Sequence, residues 1–245
     1  PGPHAAPVRL LPDNLPFHEL PTVVWDGQDR RFPWAIDELE LSPVWMSPMT
    51  EPHFVIYGAP ECGKSTVLRT MLAGIVSRFN PSEARIALLD YRRSLLGAVP
   101  DEHLIGYAAS QTAATDLMKN CADAVRSRLP GPDVTQQQLR DRSWWKGMDL
   151  FIVVDDYELV ATSMGNALQP FYDLVSQAGD IGLHIIVARG MGGAGRAAFS
   201  DQILARMKDG ANPGLIMSGT KDEGALLGNV KPSPLPPGRG TLVTR

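Results

Sequence analysis

Gly58-Ala59-Pro60-Glu61-Cys62-Gly63-Lys64-Ser65 matches the pattern G-x-x-x-x-G-K-[ST], in which x is any residue. The pattern predicts a loop whose main-chain N–H groups surround a phosphate, because the two glycines let the backbone approach the ligand closely. The apolar residues 54–57 precede the loop and predict a buried strand. Apolar residues at helical spacing follow it: Val67, Leu68, Met71, Leu72, Ile75 and Val76. The order strand, loop and helix predicts a P-loop that binds ATP or GTP.

Each residue type in this loop has a predicted role. The ammonium of Lys64 reaches the β- and γ-phosphates, and the hydroxyl of Ser65 is a predicted ligand of Mg²⁺. The full set of predicted nucleotide-contacting residues is Gly58, Glu61, Cys62, Gly63, Lys64, Ser65 and Thr66. The sequence therefore predicts a nucleoside triphosphate and Mg²⁺ as the bound cofactors.

Length and composition limit the possible classes of protein. The 245 residues suffice for one large α/β domain, and the formal net charge of −4 argues against a global attraction to nucleic acid or to anionic membranes. The two cysteines predict no disulfide framework and favour a reducing cytoplasm. No apolar run approaches the ~18 residues of a membrane-spanning helix. The opening Pro1-Gly2-Pro3 leads us to expect a domain taken from a longer protein.

The chain divides into a lead-in and a core. Six prolines in residues 1–30 predict a linker, and residues 31–245 are the predicted nucleotide-binding domain. Predicted strands lie at 86–89, 103–107, 150–154, 183–187, 215–217 and 241–243, and predicted helices at 112–129, around 167–176 and at 197–207. Alternating strands and helices predict an α/β fold of the P-loop NTPase class, a three-layer sandwich with a mostly parallel central sheet.

A second acidic motif completes the predicted site. Asp155 follows the apolar strand 150–154, at the edge where parallel sheets bind ligands, and is predicted to order Mg²⁺ opposite Ser65. Many motor-type P-loop ATPases carry a glutamate at the next position to polarise the attacking water, whereas this chain has Asp156. The aspartate is one methylene shorter, and a misplacement of ~1 Å can cost about a hundredfold in rate. We therefore expect sound binding and slow hydrolysis.

Arginines after two strands are further candidates for the site. Arg189 could stabilise charge on a transferred phosphoryl group, or it could form an ion pair with Asp155 or Asp156, and the sequence leaves both open. Arg92 and Arg93 could reach the phosphates of a neighbouring subunit, or they could be solvated or paired locally. The catalytic candidates are thus Asp155, Asp156 and Arg189. His184 is expected to be a core or edge histidine, since the histidines lack the spacing of metal ligands.

Several motifs together carry a resemblance to a known family. They are Pro33-Trp34-Ala35-Ile36-Asp37, the P-loop, Asp90-Tyr91-Arg92-Arg93, Val153-Val154-Asp155-Asp156-Tyr157, Gly182-Leu183-His184, Ser218-Gly219-Thr220-Lys221-Asp222-Glu223-Gly224 and Pro236-Pro237-Gly238-Arg239-Gly240. Across residues 31–245 the chain resembles the FtsK/SpoIIIE-type, RecA-like ATPase domains of the EccC family, the motors of ESX or type VII secretion. It is most similar to the last of the tandem ATPase domains in that family.

The resemblance implies a function and a set of partners. It implies an ATP-binding domain at the inner face of the cell membrane that recognises the C-terminal segment of small helical-hairpin Esx proteins. The other implied partners are the remaining ATPase domains of the parent chain and the ESX membrane complex. We expect a hexamer in the assembled machine, a monomer for the isolated domain, and no nucleic acid ligand. Trp144 and Trp145 are one candidate surface for the Esx segment, although tryptophans more commonly pack against the core.

Departures from the family pattern put hydrolysis in doubt. Asp156 replaces the glutamate of active motors, Arg189 stands where DNA-pumping relatives usually have threonine, and Ala35 replaces a lead-in glycine. Two alternatives therefore stay open, a DNA translocase domain and a recognition module in which ATP is structural. A translocase would require basic pore loops, and the acidic Asp155-Asp156-Tyr157-Glu158 segment weighs against them.

Overall fold

The computed structural model describes residues 10–20 and 29–244. Its strands and helices, in chain order, are β1 (Phe32–Ile36), β2 (Pro43–Met46), β3 (His53–Gly58), α1 (Lys64–Arg78), β4 (Ala84–Leu89), β5 (Leu104–Ala108), α2 (Gln111–Arg126), α3 (Gln136–Asp141), β6 (Asp149–Val154), α4 (Tyr157–Val160), β7 (Ala161–Thr162), β8 (Gly165–Asn166), β9 (Leu183–Gly190), α5 (Ala194–Ser200), α6 (Gln202–Asp209), β10 (Gly214–Met217) and β11 (Gly240–Val243). No helix within the described residues has the length and apolar character needed to cross a membrane.

A seven-stranded sheet forms the centre of the domain, in the order β11-β10-β3-β9-β6-β4-β5. Only β11 is antiparallel to its neighbour, and the other pairs are parallel. The carboxyl ends of β3, β4, β6 and β9 consequently lie along one edge of the sheet. That edge carries the P-loop and the predicted acidic motif, as expected for a ligand site in an open α/β sheet.

Both faces of the sheet are covered, which is why its central strands are mostly apolar on both faces. In β6, Phe151 and Val153 face the layer that contains α1 and the β1–β2 hairpin. Leu150, Ile152 and Val154 alternate with them and face the layer that contains α2 and α6. The predicted α/β three-layer sandwich with a mostly parallel sheet is confirmed.

Two predicted helices differ from the structure. Around 167–176 the chain forms 3₁₀ turns at Gln169–Phe171 and Val175–Gln177, because its main-chain bonds connect residues three apart, such as Phe171 to Leu168. The buried apolar residues there have a spacing that suits either helix type. The predicted helix 197–207 is two helices, since Asp201 has an extended backbone and its carboxylate accepts the N–H groups of Ile203 and Leu204 to begin α6.

Smaller differences concern the first strands and the lead-in. The β1–β2 hairpin was not predicted, and the predicted strand at 103–107 begins at Leu104, because His103 ends a 3₁₀ turn. The predicted linker lies partly outside the described residues, at 1–9 and 21–28. Within residues 10–20, Phe17–Glu19 form a 3₁₀ turn and Leu20 is buried, so this part packs on the domain.

Candidate functional site

The P-loop connects β3 directly to α1 through residues that need unusual backbone geometry. Gly63 precedes α1 with φ 104°, in the region that favours glycine, and Glu61 has φ 60°. A Cβ at Gly58 would lie 2.4 Å from the sulfur of Cys62, so the turn closes only around glycine. Cys62 itself is buried and faces the core, and burial raises the pKa of its thiol. Glu61 and Thr66 are exposed at the mouth of the loop.

Lys64 is the first residue of α1 and its side chain turns back over the loop. The residue is only 9% exposed, and its Nζ donates a hydrogen bond to the carbonyl of Ala59 at 3.1 Å. One carbonyl leaves two of the three ammonium hydrogens available for other acceptors. A nearly buried cation at the N-terminal end of a helix suits an anionic ligand, because the helix end also presents free N–H groups.

The structure brings the two predicted magnesium ligands together. The hydroxyl of Ser65 donates to Oδ2 of Asp155 at 2.6 Å, across 90 residues of sequence. Burial raises the pKa of the Asp155 carboxyl, the hydrogen bond from Ser65 opposes that rise, and the charge of Asp156 adds to it. A carboxylate that is nearly buried and has a hydroxyl beside it offers two hard oxygen ligands to a cation.

This arrangement fits Mg²⁺ better than a metal held by protein groups alone. Among residues 10–20 and 29–244, no group of three or more His, Cys, Asp or Glu side chains is placed to hold a metal ion. Mg²⁺ usually takes one or two protein oxygens and completes its shell with waters and phosphate oxygens. Ser65 and Asp155 supply two such oxygens next to the loop that would hold the phosphates.

Asp156 occupies the position next to Asp155 with a left-handed backbone, φ 48°. Its Oδ2 lies 3.0 Å from Nε of Arg92, with which it forms an ion pair. Burial raises the pKa of Asp156, Glu158 raises it further, and Arg92 lowers it. Of the two readings for the arginines after β4, local pairing therefore holds for Arg92.

Arg189 lies within β9 and not after it, and its side chain forms hydrogen bonds with the loop that follows. The guanidinium is largely buried and donates to the carbonyl oxygens of Gly190, Gly192 and Gly193 at 2.7, 3.1 and 3.4 Å. In the part of the chain that the structure describes, it forms no ion pair with Asp155 or Asp156, so that one of the two open alternatives does not hold here. A role of Arg189 toward a phosphate stays a prediction.

Sequence reasoning missed Asp90 as a determinant of the site. Its carboxylate is fully buried and accepts the N–H groups of Ser94 and Leu95 at 2.9 and 2.7 Å. The hydroxyl of Tyr107 donates to the same group at 2.9 Å. The detectable signal was an aspartate directly after an apolar strand, the pattern that identified Asp155.

The C-terminal motif Pro236-Pro237-Gly238-Arg239-Gly240 lies against the P-loop. The N–H of Gly238 donates to the carbonyl of Cys62 in the P-loop at 2.9 Å. Arg239 donates to the carbonyls of Leu11 and Pro12, at 3.3 and 2.9 Å, in the lead-in. The lead-in, the C-terminal loop and the P-loop are therefore connected in one hydrogen-bonded series.

The two tryptophans and His184 make structural contacts, and a role of the tryptophans toward an Esx segment stays a prediction. Trp144 donates its indole N–H to the carbonyl of Arg128 at 2.7 Å, and Trp145 donates to that of Asp180 at 2.8 Å. Both residues are half-buried, and the guanidinium of Arg128 lies 4.7 Å from the ring of Trp145. His184 is fully buried and stacks on Phe151 with ring centroids 4.5 Å apart, which confirms a core histidine.

The Ser65–Asp155 hydrogen bond joins the phosphate-binding loop to the carboxylate at the end of β6. This pair of motifs on a mostly parallel sheet defines a P-loop NTPase fold. The sequence profile of the FtsK/SpoIIIE family matches residues 29–207. The chain therefore belongs to the FtsK/SpoIIIE family, whose P-loop fold binds nucleotides.

Within this family, the chain is similar to individual proteins of ESX secretion systems. The chain is 55% identical over 244 residues to the ESX secretion system protein EccC of Thermomonospora curvata, which covers 100% of this chain and 18% of that protein. It is 41% identical over 242 residues to the ESX-4 secretion system protein EccC4 of Mycobacterium tuberculosis, covering 99% of this chain and 20% of the relative. The chain thus spans about a fifth of the length of these relatives.

A solved structure gives the same similarity in three dimensions. It contains ATPases 2 and 3 of Thermomonospora curvata EccC in complex with a signal sequence peptide. It matches with a TM-score of 0.92 and 55% identity, over 99% of this chain and 43% of that one. The predicted resemblance to EccC ATPase domains is confirmed.

Proposed function

We propose that this chain is the ATP-binding domain of a type VII secretion motor, with slow hydrolysis and a role in recognising Esx-type substrates. The observation that carries the ATP-binding part of the proposal is the 2.6 Å hydrogen bond between Ser65 and Asp155, because it supports a shared cation site next to Lys64. When bound, Mg²⁺ would neutralise phosphate charge and orient the terminal phosphate. Lys64 would bind the phosphates, the loop N–H groups would orient them, and Asp155 and Ser65 would hold the cation.

Binding of ATP with Mg²⁺ is tested by calorimetry on the intact chain, with and without EDTA. We expect ATP to bind, and chelation of Mg²⁺ to weaken binding, because Ser65 and Asp155 then lose the ion that links them to the phosphates. GTP serves as the comparison ligand. Absence of any nucleotide binding would show that the P-loop of this chain does not bind nucleotides.

The ESX relatives described above support the wider setting of the proposal. They are ESX secretion system proteins, so we place this domain in the cytoplasm, at a membrane-anchored secretion complex with other ATPase domains of its parent chain. We propose a hexamer in that assembly and a monomer for the separate domain. Similarity to the last EccC ATPase domain supports contact with the substrate, since the matched structure of ATPases 2 and 3 holds a signal sequence peptide.

Steady-state ATP turnover of this chain is expected to be below ~1 s⁻¹, the low end of ordinary enzyme rates. Asp156 is shorter than the glutamate of active motors, and its carboxylate is paired with Arg92 at 3.0 Å. A coupled assay for released phosphate gives the rate. The matched variant Asp156→Glu restores the missing methylene and is expected to hydrolyse ATP faster, and a wild-type rate well above the limit would contradict the prediction.

The C-terminal segment of a cognate Esx protein is expected to bind this domain with micromolar affinity. A short amphipathic helix gains most of its binding energy from a few apolar side chains in a groove, and its ordering cost opposes tight binding. Tighter binding is expected when several domains engage several substrates. Fluorescence titration with the labelled peptide measures the affinity, and a scrambled peptide is the control. Equal binding by a substrate without that segment would refute the recognition role.

A further inference from the structure

Asp156 is restrained by a residue from the neighbouring strand end. Arg92 follows β4 and Asp156 follows β6, and these strands pair in parallel with Leu89 opposite Val154. The Nε of Arg92 lies 3.0 Å from Oδ2 of Asp156, with side-chain exposures of 64% and 16%. The ion pair therefore spans the sheet edge beside the P-loop, and the carboxylate is the less accessible partner.

The backbone at both ends of this ion pair is fixed. On the arginine side, the buried carboxylate of Asp90 holds the N–H groups of Ser94 and Leu95, which closes the turn that carries Arg92. On the other side, Asp156 lies between the end of β6 and the first residue of α4 with φ 48°. The flexible part of the contact is thus the arginine side chain, and it determines where the carboxylate is held.

Arg92 is the cation that pairs with this carboxylate. The other charged side chains near Asp156 are engaged by different groups: Lys64 by the carbonyl of Ala59, Glu158 by the N–H of Gly190, and Asp155 by the hydroxyl of Ser65. Once the guanidinium is lost, Lys64 is the cation whose charge still acts on Asp156, and a turn toward Lys64 carries the carboxylate toward the P-loop.

We propose that Arg92 is a positioning residue that holds the carboxylate of Asp156 away from the attacking water and thereby slows ATP hydrolysis. This inference rests on the proposed function. In hydrolysis a water oxygen bonds to the terminal phosphorus, the bond from phosphorus to the ADP oxygen breaks, and the proton of the water passes to the carboxylate. The short side chain of Asp156 can serve that step only after it turns from Arg92 toward the nucleotide.

Turnover of the intact chain tests the restraint. Arg92→Gln is expected to raise kcat about two- to fivefold, the factor that corresponds to one exposed ion pair, with little change in KM. Arg92→Lys keeps a positive charge and is expected to stay nearer the wild-type rate. Arg140→Gln is the matched control, because Arg140 is exposed on α3 and its loss is expected to leave kcat unchanged.

Two further measurements separate positioning from a merely structural effect. In an Asp156→Asn background, Arg92→Gln is expected to give no gain in kcat, since the carboxylate that Arg92 restrains is gone. Calorimetry is expected to show the same ATP affinity for wild type and Arg92→Gln. A fall in kcat, no change in kcat, or a tenfold loss of ATP affinity in Arg92→Gln would each overturn the proposal.

Failure of this inference is distinguishable from failure of the proposed function. If the wild-type chain binds ATP and Arg92→Gln hydrolyses it no faster, the restraint is wrong and ATP binding stands. If the wild-type chain does not bind ATP, both proposals fall.

Discussion

Lys64→Ala is expected to weaken ATP binding by about ten- to a hundredfold, because a charge-assisted hydrogen bond is worth ~1.5–3 kcal/mol. The ammonium of Lys64 is nearly buried and donates to the carbonyl of Ala59, so it lies over the loop before any ligand arrives. Alanine removes the charge and keeps the helical propensity of this position in α1. Isothermal titration calorimetry with ATP and Mg²⁺ measures the change.

The control for this experiment is Lys146→Ala, which removes an equal charge from an exposed position away from the loop. It is expected to bind ATP like the wild type. Thermal unfolding of both variants checks that the fold is intact. A folded Lys64→Ala variant with unchanged affinity would show that the nucleotide does not bind at this loop.

Phe151→Ala is expected to lower the free energy of unfolding by ~3–5 kcal/mol, the usual cost of truncating a buried phenylalanine. Phe151 is fully buried at the centre of β6, stacks on His184, and lies 5.9 Å from Phe79 and 6.4 Å from Phe32 between ring centroids. The truncation opens a cavity between the sheet and the layer of α1. At ~2–4 °C per kcal/mol for a domain of this size, the melting temperature is expected to fall by roughly 6–20 °C.

Differential scanning calorimetry measures that shift, with Leu39→Ala as the control. Leu39 is 91% exposed, and its truncation is expected to change stability by less than about 0.5 kcal/mol. Phe151→Leu keeps part of the volume and is expected to give a smaller shift if Phe151→Ala does not fold. Equal melting temperatures for the Phe151 and Leu39 variants would mean that this layer of the core does not limit stability.

The elements that could be predicted from sequence are those in which short-range pattern and burial agree. Residues 54–57 and 150–154 are uninterrupted apolar runs, residues 183–187 are apolar except for His184, and all three are central strands buried on both faces. The proximity of Ser65 and Asp155 could be predicted from the sequence, because a P-loop and a strand-end aspartate lie at the same edge of a parallel sheet.

Prediction failed where distant groups determine the local conformation. Residues 167–176 carry apolar spacing typical of an α-helix, yet they form 3₁₀ turns under the sheet. Asp201 interrupts a predicted helix, because its carboxylate caps α6 and accepts a hydrogen bond from the hydroxyl of Tyr157 at 3.0 Å. The contact between Tyr157 and Asp201 spans 44 residues and is not visible in a window of ten to twenty residues.

The sequence by itself determined the P-loop, the acidic strand end, the α/β class and the similarity to secretion ATPases, since each depends on residue type at a fixed short spacing. The tertiary structure decided the partners of the charged groups: Arg189 binds the carbonyls of its own loop, Arg92 pairs with Asp156, and Arg239 holds the lead-in. A long side chain can reach any acceptor within several ångströms, so its partner depends on how the sheet orders its strands. That order is set by packing of the whole core, which local spacing does not encode.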